Sequence, residues 1–310
     1  MRPPTRDGFL GFTEVTLVLV TPAYKLRPAP PTQVSTTMDP DGLPTLSYGT
    51  IDADYARRLA SVTPEEDGPI WMIDLMYYRD QAIYADGRGT ELTGQEADDR
   101  YTPFGPFRTV GAELVFLSDV EAQFLGVDPE WDRIAVVRYP TRRSFLEMQE
   151  LPEYLDLPGH KDAGIGSMIL IAGRPVELPE LPSDTPALNE VPHPSTPTDG
   201  PVVILHVLRY HEGQISEDMD LYAGEAARIA LPHGVRICAW FDVEGTIVGD
   251  GRSWDQVRFN VFPSKEAFLA VALDPERLAA QAVLREPAIA DTYTLMLRPM
   301  INRLAESVGS

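Results

Sequence analysis

The chain has 310 residues, 44% of them hydrophobic and 9% aromatic: too apolar for a disordered chain and long enough for two ordinary domain cores. Its 47 acidic against 26 basic residues leave a formal charge of −21, which argues against nucleic-acid phosphates and anionic membrane surfaces as partners. A single cysteine, Cys238, excludes an internal disulfide framework and multi-cysteine zinc sites, and the five histidines include no HExxH.

In chain order, the first apolar stretch is Phe9 to Val20. It is interrupted by Thr13, Glu14 and Thr16, is too short to span a bilayer, and has neither a strong basic flank nor a cleavage pattern. A cytoplasmic location is therefore expected, with Met38 an alternative start. Within residues 1–66 only Tyr55–Ser61 reads as helix, so this stretch is expected to be a partly disordered extension. Strands are predicted at 71–78, at 112–118 with a continuation towards 125, at 133–139 and at 167–172. A helical segment follows the first strand, and a second helix, TRRSFLEM, follows Pro140 with Thr141 near its start. Residues 176–200 are rich in proline and short polar residues and read as a linker. The pattern then recurs: strands at 203–210, 235–241 towards 248, 256–262 and 291–297, with the helix SKEAFLAV after Pro263 and Ser264.

The recurrence is a duplication. Set without gaps against Gly234–Val271, the segment Gly111–Met148 is identical at ten of 38 positions, including Asp119-Val120-Glu121 with Asp242-Val243-Glu244 and Trp131-Asp132 with Trp254-Asp255. Unrelated segments would share roughly two or three. Each copy has the order β-α-β-β-α-β, a ferredoxin-like split arrangement. The expected organisation is a first unit at 67–178, a linker at 179–200, a second unit at 201–304 and a tail at 305–310.

The run WDRIAVVRYPTRRSFLEMQELPEYLDLPGHKDAG resembles the signature of a family of small "domain of unknown function" proteins in the dimeric α+β barrel superfamily: Trp-Asp, Tyr-Pro-Ser, Pro-Glu-Tyr and His-Arg-x-Ala-Gly. The first unit matches over roughly 68–178, with Thr141 for Ser and Lys161 for Arg. The second keeps Trp254-Asp255 and Pro263-Ser264 but has Arg277 for the tyrosine and Leu284 for the histidine. Such proteins pair two sheets from two chains, so the resemblance implies an α+β fold in which the tandem units close one intramolecular pseudo-dimeric barrel. The family carries no agreed activity.

Strand residues alternate between faces. Positions apolar in both copies, Ile73/Leu205, Leu75/Val207, Leu114/Ile237, Phe116/Ala239, Ile134/Val257 and Val136/Phe259, are assigned to the helix side. The opposite parity is assigned to the barrel: Asp74/His206, Met76/Leu208, Tyr78/Tyr210, Glu113/Arg236, Val115/Cys238, Leu117/Trp240, Ala135/Arg258 and Val137/Asn260. This second set differs between copies, as a single asymmetric pocket would require. Asp74 and His206 are the candidate proton-transfer pair, the carboxylate orienting the imidazole. Arg236 or Arg258 would hold an enolate, carboxylate or phenolate, while Tyr78, Tyr210, Trp240, Glu113 and Asn260 would contact substrate. The expected function is small-molecule binding in the barrel, as a cofactor-independent cyclase, isomerase or oxygenase acting on a planar substrate. The alternatives are a scaffold with a filled barrel, and a haem protein, since some barrel relatives bind haem through a histidine and His206 would be the ligand. No other cofactor or metal is expected.

Overall fold

The computed structural model describes residues 45–309 except 102, 156–157 and 212–214. The segment Phe9 to Val20 and the start at Met38 lie outside the described residues. A short strand β1 (Thr50–Ile51) leads into α1 (Ala53–Ala60), whose N-cap Asp52 accepts a hydrogen bond from the Tyr55 amide at 2.8 Å.

The first unit consists of β2 (Ile70–Tyr78), α2 (Gly94–Asp98), α3 (Phe104–Val110), β3 (Glu113–Leu125), β4 (Arg133–Tyr139), α4 (Arg142–Glu150), α5 (Pro152–Leu155), α6 (Pro158–Gly164) and β5 (Ile165–Pro175). The second repeats it as β6 (Val202–Tyr210), α7 (Glu217–Ala230), β7 (Arg236–Gly249), β8 (Gln256–Phe262), α8 (Lys265–Ala272), α9 (Pro275–Ala280), a π-helical turn (Gln281–Arg285), α10 (Glu286–Ala288) and β9 (Ile289–Leu297). A strand β10 (Ile301–Asn302) and a helix α11 (Leu304–Val308) end the chain. Thr141 and Ser264 cap α4 and α8, each side chain accepting from the amide three residues on.

Eight strands form one closed antiparallel ring in the order β7-β5-β2-β4-β3-β9-β6-β8, shut by pairing of β8 with β7. The long strands are shared. Residues 113–119 of β3 pair with β4 of the same unit, whereas 120–125 pair with β9 of the other. β7 does the same, with 236–242 on β8 and 241–248 on β5. The Asp-Val-Glu of each copy marks this crossing. Glu121 reaches Lys265 at 3.0 Å and Arg298 at 3.1 Å, and its counterpart Glu244 reaches Arg142 and Arg174 in the opposite unit. The Trp-Asp aspartates, Asp132 and Asp255, each accept from a backbone amide at the end of the first strand, Tyr78 and Tyr210, at 2.7 Å. Identities between the copies therefore include the residues that join the halves and those that tie strands within each half. The tandem repeat closes as one intramolecular α+β barrel.

The expected assignment of faces is reversed. One apolar cluster draws on all eight ring strands, including Ile73, Leu75, Phe116, Ile134, Val136, Ile171, Leu205, Val207, Ala239, Val257, Phe259 and Leu295, each fully buried. This is the barrel interior. Eight strands enclose a bore just wide enough for side chains to fill, and here they fill it. Asp74 and His206, with the rest of their parity, face outward towards the helices. β-Bulges between Leu114 and Phe116 and between Ile237 and Ala239 interrupt the alternation, so Val115 and Cys238 still enter the interior while Leu114 packs with the helix-side cluster. The error lay in assigning the shared apolar face to the helices when the barrel requires it more.

Of the stretch before residue 67, residues 50–60 are built into the fold. β1 pairs with the far end of β7, and Tyr55, 1% exposed, lies against Gly245, where a Cβ would strike its ring. No helix among the described residues is long and apolar enough to cross a membrane.

Candidate functional site

Each half leaves a layer between the outer face of its strands and its helices. The two copies have diverged in charge there. In the first half a row of direct neighbours crosses the sheet, Leu170, Asp74, Ala135 and Leu117. Above it α6 presents Lys161, whose Nζ lies 3.6 Å from Asp74 Oδ1 and 5.3 Å from the centre of the Tyr101 ring. Tyr101 donates to the Tyr154 hydroxyl at 3.0 Å. Burial pushes the Asp74 carboxyl up, Lys161 opposes that shift, and Asp98 adds to it. Burial works against the Lys161 charge, but Asp74 and the nearby phenols hold its pKa above the ordinary lysine value. This layer compensates its own charge.

The same row in the second half reads Thr294, His206, Arg258 and Trp240. His206 Nδ1 is 3.2 Å from Thr294 Oγ1. The Arg258 guanidinium stacks 3.7 Å from the centre of the Trp240 ring, and its Nη2 donates at 3.0 Å to Gln256 Oε1, which also accepts from the Tyr210 hydroxyl at 3.0 Å. Over this row the helices bring two more arginines. Arg285, 6% exposed at the end of the π-helical turn, donates to Thr292 Oγ1 at 3.4 Å. Arg277 of α9 donates to the Val271 and Ala272 carbonyls and to Tyr222.

No carboxylate lies in ion-pair contact with Arg258, Arg277 or Arg285 among the described residues. Burial lowers the pKa of both Arg258 and Arg285; Arg285 lowers that of Arg258 further and Arg277 that of Arg285, while Glu286 acts on Arg285 in the opposite sense. His206 is pulled down to about 3 by burial first and then by Arg285, Arg258 and Arg277. It is therefore a neutral imidazole at neutral pH. His206, Arg258, Trp240 and Asn260 all keep partial exposure, whereas Val207, Val257 and Phe259 on the reverse face are 0% exposed. These side chains form the outer layer, or recess, of this half, which solvent reaches only in part. A cleft of about 550 Å³ at the seam between the halves, lined by Val127, Gln281, Asp291 and Thr292 among others, also reaches Arg285.

Of the residues selected from sequence, the recess gathers His206, Tyr210, Trp240, Arg258 and Asn260. Asp74 lies in the other half beneath its own helices, so it does not pair with His206. Tyr78 is also there, donating to Asp98 at 2.7 Å. Glu113 is exposed and 3.8 Å from Arg303. Arg236 turns to the linker, donating to the Pro186 carbonyl at 2.9 Å. Sequence reading passed over Arg277, Arg285, Tyr222, Gln256 and Thr294. A signal for two of them existed: Arg277 stands at the position of Tyr154, and Arg285 at that of Lys161, which follows His160 as Arg285 follows Leu284.

Haem does not suit this donor set. A macrocycle centred on His206 would lie across the guanidinium of its cross-strand neighbour Arg258 and beneath Arg285, placing desolvated charge against an apolar face.

No family model matches the chain, and no curated protein does. Among solved structures, a protein of unknown function from Rhodopseudomonas palustris is 26% identical over 43% of this chain and 99% of its own, with a TM-score of 0.37; its methylated form gives 29% identity over 42% and 96%, also at 0.37. A chlorite dismutase mutant from Candidatus Nitrospira defluvii is 12% identical over 82% of this chain and 99% of its own, with a TM-score of 0.43.

Proposed function

We propose that this chain is a small-molecule-binding protein whose site is the outer recess of its second half, and that the ligand is a small organic anion. The supporting observation is the convergence of Arg258, Arg277 and Arg285 around a neutral His206 with no carboxylate in ion-pair contact among the described residues, Glu286 acting on Arg285 only from further away. Desolvated cations are costly unless paired. In a chain carrying 47 acidic residues, the lack of an ion-pair partner for these three arginines leaves a deficit of negative charge that a ligand fills. Guanidinium groups suit a carboxylate, phenolate or enolate through paired N–H donors.

An anion seated there would offset the arginine field and raise the basicity of His206. Any proton transfer in an isomerase, cyclase or oxygenase reaction then falls to His206 alone, because Asp74 belongs to the other half. A ligand inside the barrel is not part of this reading, since that space is filled.

The test is thermal unfolding with benzoate and butanoate at millimolar concentrations, on the wild type and on Arg258→Met/Arg285→Met. A ligand at 100 times its Kd adds about 2.7 kcal/mol to native stability. Wild type should show a saturable rise in midpoint and the double variant none. No shift with any acid, or an equal shift in the double variant, would defeat the proposal.

A further inference from the structure

Three buried polar atoms in this recess lack a hydrogen-bond partner: Arg258 Nε, Trp240 Nε1 and Asn260 Oδ1. Trp240 and Arg258 are direct cross-strand partners with the guanidinium stacked 3.7 Å from the indole centre. Asn260 lies two residues along β8 on the same face, roughly 7 Å away at the usual strand rise. Such atoms ordinarily find a partner in the protein or a bound molecule. Their chemistry is specific. Two N–H groups beside the arginine cluster can only donate, so they suit the oxygens of an acid. The Asn260 side chain offers an acceptor, so it suits a group that donates.

Resting on the reading above, we infer that the ligand is a hydroxy acid: an organic anion whose carboxylate accepts from Arg258 and Trp240 and whose hydroxyl donates to Asn260. A lone inorganic anion or a plain carboxylic acid satisfies the two donors and leaves the amide oxygen unmatched. Sites that hydrogen-bond a substrate hydroxyl discriminate strongly against analogues lacking it, because the buried partner is then stranded.

The experiment is calorimetric titration of the full chain with matched sets: benzoate, 3- and 4-hydroxybenzoate and their methyl ethers, and butanoate with 3-hydroxybutanoate. At least one hydroxylated acid should bind tenfold or more tightly than its parent, and any ether of it should fall back to the parent's affinity. Asn260→Leu should abolish the gain, so that in this variant the hydroxy acid and its parent bind with equal affinity. Trp240→Phe should weaken parent and hydroxy acid alike, which separates loss of the acid contact from loss of the hydroxyl contact and guards against misfolding of the first variant. Equal affinity of parent and hydroxylated acids, or a gain that survives in Asn260→Leu, overturns the inference while leaving anion binding intact. Binding by none of the acids overturns the functional reading itself and this inference with it.

Discussion

Replacing His206 with Asn should remove an acid sensitivity that the wild type carries. In the native state His206 titrates at about 3, held there by burial and by Arg285, Arg258 and Arg277. In the unfolded chain it returns to about 6.5. Between those values the unfolded state binds a proton that the native state does not, so stability falls as pH drops below about 6.5. With these two pKa values, the loss between pH 7.5 and pH 5.0 is about 2 kcal/mol from this residue alone. Three carboxyls, buried Asp74 and half-buried Asp98 and Asp162, have raised pKa values and give the opposite slope on acidification. The informative quantity is therefore a double difference. Urea unfolding of wild type and His206→Asn at both pH values should show the wild type losing about 2 kcal/mol more than the variant. Equal losses would refute the view that the recess is an uncompensated cationic environment.

The same field makes a prediction about its source: Arg285→Met should stabilise the ligand-free protein by about 1–2 kcal/mol, read from urea midpoints, because it removes a buried cation without a counter-ion. In the other half the outcome should reverse. Asp74→Ala should cost about 3–5 kcal/mol by stranding Lys161, whereas Asp74→Leu with Lys161→Met should recover most of that loss in a double-mutant cycle. Phe259→Ala, at a site 0% exposed with its ring centre 5.3 Å from that of Phe116, should cost about 3–5 kcal/mol, since the interior is packed. A loss below about 1 kcal/mol there would mean the bore has room to spare.

The duplication, the β-α-β-β-α-β order of elements and the strands at 133–139 and 256–262 were legible because hydrophobic period, capping residues and repeat identity agree there. Faces were harder to read. Alternation shows which residues share a side but not which side is which, and in this barrel both sides are buried. The bulges at Val115 and Cys238 leave no sequence signature strong enough to locate them without the paired strand. Half of the recess was visible as divergence between copies on β6, β7 and β8. The other half, Arg277 and Arg285, comes from the segment after α8. The copies lose their gapless register there, and a π-helical turn decides which side chains face the sheet. The pairing of Asp74 with His206 failed for a topological reason. Equivalent positions in a pseudo-dimer lie on opposite outer faces once the shared apolar face turns inward.

A crystal structure of the full chain soaked with the tightest-binding acid of the matched sets tests the central claim most directly. The account predicts density in the outer recess of the second half, with the carboxylate within hydrogen-bond distance of Arg258 or Arg285 and His206 alongside. Density for the acid in the first half, at the barrel axis or only in the seam cleft, with the recess holding water alone, would contradict it.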